Sequence, residues 1–101
     1  MRSPNILLAS DEIAAFCHRW HIAELSLFGS VLRDDFGQDS DVDMLVTFQP
    51  GVTWSLLDLV TMQDELTALA GRPVDLVEEV ALRNPFRRSA IVNSKQIVYA
   101  A

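Results

Sequence analysis

Asp41-Val42-Asp43-Met44-Leu45-Val46-Thr47-Phe48 is the stretch that decides the fold. Val42, Met44, Val46 and Phe48 point one way; Asp41, Asp43, Leu45 and Thr47 point the other. A period of two predicts a β-strand with its apolar side turned to a core. Asp is a poor strand former, so two of them at the head of an apolar strand weaken it without structural gain. Both carboxylates leave the same sheet face. Asp39 lies just upstream, and a solvated acidic turn is the plain alternative reading of the cluster.

Downstream, Pro50-Gly51 breaks the strand. Thr53 is expected to cap a long helix to about Ala70, with Leu56, Leu57, Val60, Leu66 and Leu69 toward the core. Gly71 stands where a helix C-cap glycine belongs, and Pro73 prevents continuation. A short strand follows over Val74–Val77, with Asp75 where an apolar residue would be expected. Asn84-Pro85 reads as an N-cap with proline at the first helical position, opening a helix to about Asn93. Gln96–Tyr99 is the last strand.

Upstream, Ser10 is expected to cap a helix reaching His21, with Ile13, Phe16, Cys17 and Trp20 on one face. Glu24–Phe28 alternates as a strand and ends in Gly29-Ser30. A short helix-like piece, Val31–Asp35, and a loop, Phe36–Ser40, lead back to Asp41. The mixture predicts an α/β (α+β) domain: a small mixed β-sheet flanked by helices, spanning residues 1–101 as one unit.

Composition agrees with a single small domain. The chain has 101 residues, of which 50% are hydrophobic and 22% charged. No apolar run reaches the roughly 18 residues of a membrane span. Cys17 is the single cysteine, which excludes an internal disulfide and points to a reducing, cytoplasmic setting. The net charge of −6 argues against direct nucleic-acid binding, which leaves a basic footprint.

If the strands of Asp43 and Asp75 are neighbours, three carboxylates share one face and repel one another. Divalent cations relieve that conflict. Hard oxygen ligands favour Mg²⁺, with Mn²⁺ as the alternative, and two such ions form the clamp used in phosphoryl and nucleotidyl transfer. At Gly29-Ser30, a glycine lets a phosphate approach the backbone and the following helix start offers N–H donors. Arg33, one turn on, can pair with phosphate or brace the carboxylates; a surface ion pair with Asp34 or Asp35 is the competing reading.

Together, Gly29-Ser30-Val31-Leu32-Arg33, then Asp39-Ser40-Asp41-Val42-Asp43-Met44-Leu45-Val46, and Asp75 resemble the minimal nucleotidyltransferases of the DNA polymerase beta-like nucleotidyltransferase superfamily. One departure is Asp34, where many members carry glycine. The resemblance implies that Asp41 and Asp43 hold two Mg²⁺ ions. It implies that Asp75 completes the catalytic metal site and helps to activate the attacking hydroxyl. Gly29 and Ser30, with Arg33 and Ser40 nearby, would bind the nucleotide, ATP. Small members of this family resemble antitoxins that adenylylate a tyrosine of a HEPN ribonuclease toxin. Such a partner would supply the acceptor that so short a chain has little material to bind.

The expected function is therefore Mg²⁺-dependent transfer of AMP to a protein hydroxyl. Two alternatives stand beside it: a non-catalytic antitoxin acting by occlusion, and a transferase acting on a small-molecule hydroxyl. A tRNA acceptor is disfavoured by the acidic balance. Cys17 reads as core, His18 and His21 as exposed, and Trp20 and Trp54 as core or interface anchors. Arg83, Arg87 and Arg88 read as a solvated face, with contact to phosphate or an acidic partner as the alternative.

Overall fold

The computed structural model describes residues 9–32 and 41–101. In chain order these form α1 (Ser10–Arg19), β1 (Ile22–Phe28), a 3-10 turn (Gly29–Leu32), β2 (Val42–Phe48), α2 (Leu56–Ala70), β3 (Val74–Glu78), a second 3-10 turn (Glu79–Ala81), α3 (Pro85–Ser94) and β4 (Gln96–Ala100). The strands lie in the order β3-β2-β1-β4. β1 is antiparallel to β2 and to β4, while β2 and β3 are parallel. Parallel neighbours need a long crossover, and α2 provides it. The architecture is the mixed, helix-flanked α+β sheet that the sequence predicts.

The decisive stretch forms β2 as expected, at the centre of the sheet between β1 and β3. Its apolar side, Val42, Met44 and Val46, is buried with Leu25 and Leu27 of β1. Ile13, Phe16 and Cys17 of α1 and Met62 and Leu66 of α2 cover that side. The opposite side carries a smaller core of Phe28, Leu45, Leu82 and Ile91, which seats α3.

Several local expectations are corrected. Ala9, not Ser10, is the N-cap of α1, and no side chain caps that helix. β1 starts at Ile22, ahead of Glu24, and an irregularity in its pairing between Ile22 and Glu24 follows the left-handed His21 (φ 54°). α2 is capped by Ser55 rather than Thr53: the Asp58 N–H donates to the Ser55 hydroxyl and the Ser55 N–H donates to the Asp58 carboxylate. Leu56, Leu57 and Val60 are 76%, 77% and 47% exposed, and the buried positions are Met62 and Leu66. Leu69 packs at the edge of the core as expected.

The helix stops behave as their chemistry demands. Gly71 ends α2 in the left-handed conformation (φ 70°), which glycine adopts without Cβ strain. Asn84 caps α3, accepting from the Phe86 and Arg87 N–H groups, with Pro85 in the first turn. Trp20 and Trp54 meet edge-to-face with centroids 5.0 Å apart, and the Trp54 indole donates to the Trp20 carbonyl. The Trp20 indole in turn donates to Glu65, which is paired with Arg19, joining α1 to α2.

Candidate active site

Register assembles the site. Phe28 of β1 pairs with Asp43 of β2, and Asp43 pairs with Asp75 of β3. Gly29 follows Phe28 directly, so it arrives beside Asp43. A Cβ placed on Gly29 would sit 2.5 Å from Asp43 Oδ2. Gly29 also has φ 76°, a conformation L side chains rarely adopt. The backbone angle favours glycine where the chain turns past the carboxylate, and any Cβ there would also have to displace the end of the Asp43 side chain.

Asp43 is half-buried, while Asp75 and Asp41 are exposed. Asp43 and Asp75 share the sheet face that carries Phe28, Leu45 and Val77, because alternation sends Val42, Met44 and Val74 to the other core. Asp41 directly precedes β2. Gly29 opens the first 3-10 turn, which also holds Ser30. Arg33 and Ser40 lie outside the described residues, as do the Phe36–Ser40 loop and the last residues of the Val31–Asp35 segment.

Among the described residues, no three His, Cys, Asp or Glu side chains are gathered closely enough to hold one ion. The donors at the site are nonetheless all carboxylate oxygens, as hard divalent cations require. Mg²⁺ typically takes one or two carboxylates and fills its shell from water and substrate phosphates. Asp43 and Asp75, paired in register, and Asp41, directly before β2, are the carboxylates that could supply such ligands.

The nucleotidyltransferase domain family matches residues 12–98 of this chain. The chain belongs to that family. It is a nucleotidyltransferase, an enzyme class that works on nucleotide substrates. The protein adenylyltransferase MntA of Thermococcus cleftensis is 35% identical over 81 residues, covering 80% of this chain and 77% of the relative. A Methanocaldococcus jannaschii chain assigned as a protein adenylyltransferase is 36% identical over 72 residues, covering 71% of this chain and 74% of its own length.

Solved structures agree on the fold. A chain assigned as a minimal nucleotidyltransferase superposes with a TM-score of 0.70 at 32% identity, over 86% of each chain. A toxin–antitoxin structure with AMP-PNP superposes with a TM-score of 0.72 at 18% identity, over 93% of this chain and 75% of that one. The MntA–HepT toxin–antitoxin structure gives 0.63 at 16% identity, over 91% and 70%.

Other residues fall where their chemistry sends them. Cys17 is fully buried, and burial pushes its thiol up from 9.0 to about 12, so it stays a protonated core residue at neutral pH. Arg83, Arg87 and Arg88 are exposed. Sequence reasoning missed Gln63 and Thr67 of α2, whose side chains accept hydrogen bonds from the β3 backbone. Their signal was present: two polar residues four apart on a helix that is otherwise apolar along its inner side.

Proposed function

We propose that this nucleotidyltransferase moves AMP from ATP to a hydroxyl of a partner protein, a tyrosine of a HEPN ribonuclease toxin, and so serves as its antitoxin. The observation that carries the reading is the Asp43 carboxylate lodged against Gly29 with Asp75 in register beside it. It supports the reading because a glycine turn open to a phosphate would lie next to an acidic pair. Relatives named as protein adenylyltransferases, and fold neighbours from toxin–antitoxin complexes, support the acceptor class.

In this reading the Gly29–Ser30 segment receives the β- and γ-phosphates, with Arg33 and Ser40 as further nucleotide-binding residues. Asp41, Asp43 and Asp75 hold Mg²⁺, as two ions, with Mn²⁺ as a substitute. Bound there, the metal neutralises phosphate charge and lowers the barrier to attack at phosphorus. Asp75 takes the proton of the acceptor hydroxyl as its oxygen bonds to the α-phosphorus. The α–β bridging bond breaks and pyrophosphate leaves. Exposure of Asp75 on an edge strand leaves it reachable by a residue presented on another protein.

The test is transfer of labelled AMP from ATP to a co-expressed HEPN toxin in the presence of Mg²⁺. The wild type is expected to label the toxin, and Asp41→Ala with Asp43→Ala to lose at least about a thousandfold in rate. Undiminished labelling by the double variant overturns the proposal. Full neutralisation of the toxin by that variant, without labelling, would establish occlusion instead. Turnover on a small-molecule hydroxyl with no protein present would establish the third reading.

A further inference from the structure

β3 lies at the edge of the sheet, paired with β2 alone. The Val42 N–H donates to the Pro73 carbonyl at 2.9 Å, so Pro73, Asp75 and Val77 turn their backbone groups toward β2. Val74 and Leu76 therefore turn theirs outward, to the free edge. Outward donors of this kind are ordinarily left to water or to another strand. Here α2 takes both. The Val74 N–H donates to the Thr67 hydroxyl oxygen at 3.1 Å, and the Leu76 N–H donates to the Gln63 side-chain oxygen at 3.0 Å.

Gln63 and Thr67 are four residues apart, stacked on one face of α2, and both are half-buried. Asp75 lies between the two residues they hold. We propose that Gln63 and Thr67 are positioning residues for nucleotidyl transfer, clamping β3 on either side of Asp75 so that its carboxylate stays in register with Asp43. The inference rests on Asp75 belonging to the transfer site.

The physical reason is the exposed position of Asp75. An edge strand is held by one ladder, and the ends of such strands open locally far more readily than central ones. A reacting group displaced by about 1 Å can lose on the order of a hundredfold in rate. Two hydrogen bonds on the open side give β3 a second line of attachment without a further strand. They also deny that edge to foreign strands.

The test compares Thr67→Val with Gln63→Met, which removes both acceptors at near-constant volume, against Thr67→Ser, which keeps the hydroxyl oxygen. Amide exchange followed by NMR reads the clamp itself. The double variant is expected to lose about tenfold protection at Val74 and Leu76 beyond any change at Met44, while Thr67→Ser holds to within about threefold. In transfer assays kcat is expected to fall about tenfold, with KM for ATP within about twofold. The split follows because Gly29 closes β1, on the far side of β2 from β3.

Unchanged protection overturns the clamp, and lost protection with unchanged kcat overturns its positioning role. If the double variant fails to fold, Thr67→Val alone is read at Val74. If the wild type itself transfers nothing, the proposed function falls separately. The clamp is then judged on the Asp75 side-chain carboxyl resonance: a shift in the double variant supports it, and an unmoved resonance overturns it.

Discussion

The two faces of the sheet are built to different ends. One face of β2 carries Val42, Met44 and Val46 under α1 and α2, all fully buried. The other carries Asp43, Leu45 and Thr47, and only Leu45 belongs to a buried cluster. Among the described residues the single buried polar one, Ser26, also alternates onto this second face. Thr47 donates to Glu79 at 2.9 Å, and Lys95 is paired with Glu24 across it. One face of the strand is thus given over to packing, while the other also displays polar and charged side chains. A period of two makes this division available to any strand with one face toward a core.

Truncating the packed face costs the most stability. Met44→Ala removes a fully buried side chain and is expected to destabilise the fold by about 2–5 kcal/mol in denaturant unfolding. Asp43→Asn, one residue away, is expected to lose transfer while its unfolding free energy stays within about 1 kcal/mol. Equal losses of stability in the two variants would erase the distinction between faces.

Gly29→Ala tests the seam where the site meets the fold. The positive φ alone is expected to destabilise by about 1–2 kcal/mol, and the new Cβ must displace Asp43 Oδ2. Transfer should fall further than stability does. Activity retained with only the stability loss would mean that Asp43 moves aside harmlessly.

A smaller effect belongs to Cys17 in the packed face. Because burial raises its thiol from 9.0 to about 12, the folded chain keeps a proton that the unfolded chain releases. Its stabilising contribution is complete below about pH 9 and declines as pH rises from 9.0 toward 12. Unfolding of wild type and Cys17→Ala across that range should show the alkaline decline lessened in the variant. The smallest effect is expected at Leu57→Ala, within about 0.5 kcal/mol, because the side chain is 77% exposed. A loss of several kcal/mol would restore Leu57 to the core.

Much of this was readable in advance where one residue type dictates one local geometry. The alternation of Val42–Phe48, the Gly71 stop and the Asn84-Pro85 start all act through neighbours within a few residues. The phase of α2 was harder, since leucine and valine occur around much of its circumference. Leu56, Leu57 and Val60 were expected inside and lie outside, because the packed side is set by Met62 and Leu66 and by the hydrogen bonds of Gln63 and Thr67 to β3. No local pattern specifies which side of such a helix will meet the sheet.

Residue type and spacing alone specify the elements, the apolar side of β2 and the chemical kind of the candidate site: carboxylates beside a glycine turn. Alternation, capping and ligand hardness are properties of residue type and spacing, and need no partner to be read. Tertiary structure alone decided that β3 lies parallel to β2 with Asp75 opposite Asp43, and that Asp43 presses against Gly29. Those juxtapositions join residues far apart in the chain. They follow from strand order and register, which are chosen by the packing of the whole domain.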